Sequence, residues 1–136
     1  MAGVWGISSD LTRIGDHQRS VILNEIQNYR RLNAIKKYDQ YDMAQPADGA
    51  DAASITFYGK RNQEAASIVY RWTGKGPFSQ KICFKGLDKS GSYVITDADT
   101  GTQTTMTGLQ LSRDGFSQTF EAGRLSALLF VQPTKQ

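Results

Sequence analysis

The sequence predicts a mainly β fold: an antiparallel β-sandwich of about seven strands preceded by one amphipathic α-helix. The pattern of the chain breaks near residue 40, with one helical period before it and only short strand-like segments after it. Those segments are punctuated by turn residues at short intervals, as in an antiparallel sandwich. The last of them, around Leu128-Leu129-Phe130-Val131, is apolar on both faces, which marks a central strand.

The lead-in Val4-Trp5-Gly6-Ile7-Ser8-Ser9-Asp10-Leu11 reads as extended. Asp16 is a good helix cap, and Gly15 lets the chain turn in. The helix is predicted from about His17 to Leu32, with an extension as far as Lys37. Ile22, Ile26, Tyr29 and Asn33 fall on one stripe, and Val21, Leu23, Leu32 and Ile35 widen it. So wide an arc suggests packing on more than one neighbour. Tyr38 to Ala53 reads as a connection, because Gln45-Pro46-Ala47-Asp48-Gly49-Ala50-Asp51 has the content of an exposed loop. Strands are predicted at 54–58, 65–72, 81–85, 93–96, 102–107, 115–120 and 125–132. No further helix is expected. The division that follows is a lead-in and helix over 1–37, a linker over 38–53 and a sandwich over 54–136.

With 136 residues the chain fits one domain, large enough to bury a core without a metal or disulfide. Its apolar fraction of 39% and charged fraction of 21% are ordinary for a globular protein. No apolar run approaches the roughly 20 residues of a membrane span, and no secretory leader pattern is present. The net charge of +3 is scattered. Its densest groups, Arg30-Arg31 and Lys36-Lys37, lie at the helix end, where cations offset the dipole. The aromatic and basic stripe of a nucleic-acid binder is not visible. Cys83, the single cysteine, sits in a strand-like run and is read as a small packed side chain.

Candidate chemistry is sparse. His17, the single histidine, is in a first helical turn, where side chains are usually solvated. One His and one Cys do not furnish a zinc site, and no cofactor is expected. Asp97-Ala98-Asp99-Thr100-Gly101 resembles the opening of a calcium loop, but its glycine comes one position early and Gly108 stands where a closing Glu belongs. A hairpin turn is the simpler reading. Glycosidic hydrolysis needs two facing carboxylates, and none of the 13 acidic residues is singled out by its pattern. Asp10, in Ser8-Ser9-Asp10-Leu11, is the best-placed acid near the helix start, and capping by Ser9 or Asp10 explains it more simply. Trp5, Trp72 and Tyr70 are the candidates for stacking on sugar rings or for contact with another domain. Core packing is the competing use of Trp72, whereas Trp5 fits either.

The order of segments resembles a known family. Gly6-Ile7-Ser8-Ser9-Asp10-Leu11-Thr12-Arg13-Ile14, followed by Ile26-Gln27-Asn28-Tyr29-Arg30-Arg31-Leu32, is similar to the last helix of the (β/α)8 barrel in α-galactosidase-like glycoside hydrolases of families 36 and 27. The run from Gly86-Leu87-Asp88 through Tyr93-Val94-Ile95-Thr96-Asp97-Ala98-Asp99-Thr100-Gly101 resembles their C-terminal β-sandwich more specifically. Thr107-Gly108-Leu109-Gln110-Leu111, Gly115-Phe116 and Ser126-Ala127-Leu128-Leu129 fit the usual ending. The resemblance implies a parent that is a retaining exo-glycosidase whose two catalytic aspartates lie on earlier barrel strands. No position of this chain matches those strands, so no catalytic residue is expected here. The implied role is accessory: a sandwich packed against the catalytic barrel, meeting carbohydrate through the parent. A sugar-binding module with its own site is the alternative. If residues 1–36 were shaped to lie on a barrel, the face of Ile22, Ile26 and Tyr29 can fold onto its own sandwich, pair with a second copy or stay mobile, and one of the first two is expected.

Overall fold

The computed structural model describes residues 10–36, 41–44 and 51–134. Asp10 caps a short 3-10 turn, Leu11–Arg13, by accepting from the Thr12 amide at 3.0 Å. Helix α1 follows, Asp16–Lys36. The Gly15 amide at its start donates to Gln18 Oε1 at 2.7 Å, supplying one of the partners that a first helical turn lacks.

Eight strands follow: β1 (Tyr41–Ala44), β2 (Ala52–Gly59), β3 (Glu64–Arg71), β4 (Phe78–Ile82), β5 (Ser92–Asp97), β6 (Gln103–Thr107), β7 (Phe116–Phe120) and β8 (Ser126–Pro133). A short helix α2, Gly108–Arg113, lies between β6 and β7. The strands form a six-stranded sheet in the order β1-β2-β3-β8-β5-β6 and a two-stranded sheet of β4 and β7. Every pairing is antiparallel. The mainly β sandwich with a leading helix is therefore the fold.

Both faces of the large sheet are covered, which explains the double-sided apolar pattern of β8. On one face Tyr58, Val69, Ile95, Leu129 and Val131 pack with Ile82, Phe84, Leu111 and Phe120 from the small sheet, α2 and the intervening loops. On the other face Phe57, Ile68, Leu128 and Phe130 pack against Leu32 and Ile35 of α1. Because strand side chains alternate, Leu129 and Phe130 serve opposite cores. As expected, β8 is central, paired to β3 through Ala127↔Val69 and to β5 through Val131↔Ile95.

Several elements differ from the sequence expectations. The connection read at 38–53 holds β1, which pairs Tyr41 with Phe57; the Pro/Gly-rich run after it hid so short a strand. Helix α2 is a second helix where none was expected. Its signal is the capping box of Thr107 and Gln110, in which the Thr107 hydroxyl accepts from the Gln110 amide at 3.2 Å and Gln110 Oε1 accepts from the Thr107 amide at 2.9 Å. The strand expected at 81–85 is β4, shifted to Phe78–Ile82; Phe84 reaches the core from the loop after it, and its amide donates to Leu111 O at 2.9 Å. Arg31 does more than offset a dipole, since its guanidinium lies 3.9 Å from the centre of the Phe130 ring. The wide apolar arc of α1 divides along its length. Leu32 and Ile35 are buried, Ile22, Ile26 and Tyr29 are half-buried, and Val21 and Leu23 are exposed.

Candidate functional site

Three surfaces bring chemistry-bearing residues together. The first lies at the end of β3. Arg71, with its side chain buried, donates through Nε to Asp51 Oδ2 at 2.9 Å, and through its other nitrogens to the carbonyls of Gly76 and Lys75 at 2.8 and 2.7 Å. Asp51 also accepts from the Thr73 hydroxyl at 2.8 Å. The Arg71 and Thr73 hydrogen bonds hold the Asp51 carboxyl below its usual range. This cluster fixes the turn that carries Trp72. The indole is 58% exposed, so the core-packing reading of Trp72 is corrected: the chain has left the strand at this point, and the side chain stands at the surface. Trp5 lies outside the described residues.

Tyr70 is half-buried and lines a second surface, a cleft of about 340 Å³ between α1 and the large sheet. Its other walls are Glu25, Ile68, Asp99 and Ser126 to Leu128. Tyr70 and Trp72 are two residues apart, yet Trp72 is not part of this cleft.

The third surface is built on the turn Asp97-Ala98-Asp99-Thr100-Gly101. The Asp97 amide donates to Thr102 O at 3.0 Å, and Gly101 takes a φ of 71° that a glycine adopts without strain. Asp97 Oδ1 accepts from the Asp99 amide at 3.0 Å. Arg124 grips the same carboxylate through two nitrogens at 2.8 and 2.9 Å, and reaches Asp99 Oδ2 at 2.8 Å. Gln118 Nε2 adds a bond of 3.2 Å to Asp97 Oδ2. The segment is thus a hairpin turn whose carboxylates are occupied by an arginine. Burial pushes the Asp97 pKa upward most strongly, but the Arg124 bond and the turn amides together bring it below the ordinary value.

That direction fixes a pH dependence. The folded pKa of Asp97 lies below the unfolded one, so its contribution is complete above the unfolded carboxylate range. It is lost as pH falls through the folded pKa. Asp97→Asn should therefore lower stability at neutral pH by roughly 2 kcal/mol, less than a fully buried pair because Arg124 is partly solvated. The gap between variant and wild type should close in urea melts taken at progressively lower pH. A gap that stays constant into strong acid would show that the Asp97 charge is not what the network uses.

Beside this turn, the free edge of β7 runs along the β5–β6 hairpin and leaves a cleft of about 290 Å³. Thr100, Thr102 and Thr104 line one side, Phe116 to Thr119 the other, and Asp97, Arg124 and Glu121 the end. Neither Tyr70 nor Trp72 belongs to it. The signal available was Thr102 and Thr104, two apart in the strand predicted at 102–107 and so on one face of it, whereas Thr100 belongs to the turn. The Asp97–Arg124 pair, 27 residues apart, has no sequence signature.

Three further acids are held by neighbouring groups. Asp10 is held by Thr12, Asp88 by the Ser90 amide and hydroxyl, and Asp114 by Arg113, and each carboxyl is lowered in pKa. A glycosidic general acid needs the opposite shift. His17 is exposed in the first turn of α1, and Cys83 is a half-buried free thiol. Among the described residues no group of three metal-ligating side chains occurs.

No protein-family model matches the chain, and no curated protein matches it by sequence. Solved structures do match in fold. The α-galactosidase from Lactobacillus brevis aligns with a TM-score of 0.72 at 16% identity, over 93% of this chain and 18% of that one. The GH36 α-galactosidase AgaA from Geobacillus stearothermophilus aligns with a TM-score of 0.71 at 13% identity, over 91% of this chain and 17% of that one. The fold described above is thus the fold of one portion of these larger enzymes, and this chain spans less than a fifth of their length. They are the enzymes that the sequence motifs resemble.

Proposed function

We propose that this chain is a non-catalytic C-terminal accessory domain of an α-galactosidase-like glycoside hydrolase, packing on the catalytic barrel of the parent and stabilising it. The observation that carries the reading is the coverage: nearly all of this chain aligns with a small part of much longer hydrolases. In this reading residues 1–37 close the barrel. The first half of α1 then supplies the contact. Val21 and Leu23 are 49% and 59% exposed there, beside half-buried Ile22 and Ile26. Burying one such side chain is worth about 1.5–3 kcal/mol, which gives the stripe a drive to find cover. A second copy would have to cover the same residues, and a strictly monomeric chain in sedimentation would remove that dimer reading.

The downward shifts at Asp10, Asp51, Asp88, Asp97 and Asp114 support a role without acid–base chemistry. Without a facing pair of carboxyls, the oxocarbenium-like transition state loses both protonation of the leaving group and charge stabilisation. The isolated chain should not turn over aryl α- or β-galactosides above the buffer rate. Turnover that disappears when one acidic residue of this chain is replaced would overturn the reading.

A carbohydrate-binding role of its own is the second reading. It is favoured by the exposed Trp72 indole and by Tyr70 in the wall of a cleft.

A further inference from the structure

We infer that the cleft between the β5–β6 hairpin and the free edge of β7 is a binding subsite for one neutral sugar ring. The choice of a sugar over other neutral polyols rests on the glycoside hydrolase reading above; the cleft chemistry stands without it. Its volume of about 290 Å³ is at the small end for a ligand site and suits one pyranose. Its polar groups both donate and accept. Thr104 and Ser117 line the two walls with exposed hydroxyl side chains, and Thr102 and Thr119 add hydroxyls that are bonded to Thr100 at 3.0 Å and Ser79 at 3.1 Å. Phe116, packed against the core on one side, leaves the rest of its half-buried ring as an apolar patch for the C–H face of a sugar.

A second observation concerns Gln118, which is 5% exposed and also lines the cleft. Its Nε2 donates to Asp97 Oδ2 at 3.2 Å and to Thr119 O at 3.0 Å. Its Oε1 accepts no hydrogen bond among the described residues. Among the described residues this oxygen is not a buried unpaired atom; it stays open to solvent and can accept from a hydroxyl entering the cleft.

Charge argues against the competing ligands. The Arg124 guanidinium is bound by Asp97 and Asp99, so no cation remains to hold a phosphate or carboxylate. Asp97 is in turn occupied by Arg124 and Gln118, so it is poorly disposed toward a metal ion. What remains is the hydroxyls and the Glu121 carboxylate, which repels anions and accepts from hydroxyls, so an uncharged polyol satisfies both. The fixed ion pair also holds the turn of Thr100 and the β7 edge in register, which presents a preformed site.

The test is a titration of the full 136-residue chain with methyl α-D-galactopyranoside, followed by amide shifts in ¹⁵N correlation spectra. Saturable shifts are expected at Thr102, Thr104, Gln118 and Thr119, with a millimolar Kd. Thr104→Val removes an exposed hydroxyl while keeping the shape of the side chain, so the protein should stay folded. It should raise Kd about threefold to tenfold, the value of one hydrogen bond. Phe116→Leu should weaken binding as well, by loss of the ring. Absence of saturable shifts at these amides would overturn the subsite. Shifts confined to Tyr70 and Trp72 would also overturn it, while leaving the carbohydrate-binding reading in place. The hydrolase-domain reading is judged separately, by the galactoside assay.

Discussion

Phe130→Ala is expected to destabilise the chain by about 3–5 kcal/mol. Phe130 is fully buried in β8, the strand flanked by β3 and β5. Its ring packs with Leu32 and Ile35 of α1 and with Phe57 and Ile68 of the sheet. Truncation leaves a cavity in the cluster of large side chains that joins α1 to the sheet. It also removes the ring beneath the Arg31 guanidinium, 3.9 Å away. Burial already lowers the Arg31 pKa, so a partly desolvated cation would lose its aromatic partner in the same step. Phe130→Leu, which refills much of the space, should recover more than half of the loss. Urea melts followed by tryptophan fluorescence read both variants. A loss under 1 kcal/mol for Phe130→Ala would mean that α1 does not rest on the sheet as described.

Gly108→Ala should have an effect of similar size, at least about 3 kcal/mol, at the upper end for overpacking. Gly108 opens α2, and a Cβ placed there would fall on the carbonyl oxygen of Asp88, well inside any allowed contact. The obstacle is backbone, so no rotamer change can relieve it. The same residue donates its amide to Gly91 O at 2.9 Å, and Leu109 donates to Lys89 O at 3.0 Å. These bonds clip α2 to the turn before β5. Pushing them apart would also lift Leu111, fully buried, out of the core. Gly101→Ala makes a useful contrast. Its positive φ makes the alanine strained, but no atom lies near its Cβ, so a smaller loss is expected there. Equal stability of Gly108→Ala and wild type in thermal melts would contradict the close approach of the two segments.

Both expectations concern features that were only half visible in the sequence. The alternation of Ala127, Leu128, Leu129, Phe130 and Val131 told that β8 is buried on both faces. It could not tell that the second cover is α1, because a strand pattern records that a face is apolar and not what lies on it. Gly108 sat in a run that matched the sandwich ending of a family, but nothing local distinguishes a glycine needed for close approach from one in a turn. The capping box of Thr107 and Gln110 was legible in principle and was masked by the β-branched residues before it. Of the sugar-contact candidates, Tyr70 does line a cleft and Trp72 is exposed. They were chosen as aromatics, a criterion that passes over Gln118 and the three threonines facing it.

The sequence by itself determined the fold class, the order of helix before strands, and the central place of β8. Each is written in a period of local hydrophobicity, or in a strand apolar on both faces, and such patterns survive without knowledge of partners. Tertiary structure alone decided which elements meet. The Asp97–Arg124 pair, the Arg71–Asp51 clamp, the Arg31–Phe130 contact and the cleft beside β7 each join residues far apart in the chain. A charge or a hydroxyl carries no label for a distant partner. Its role is set only when antiparallel pairing and two-sided burial of the large sheet have fixed where both ends of the contact stand.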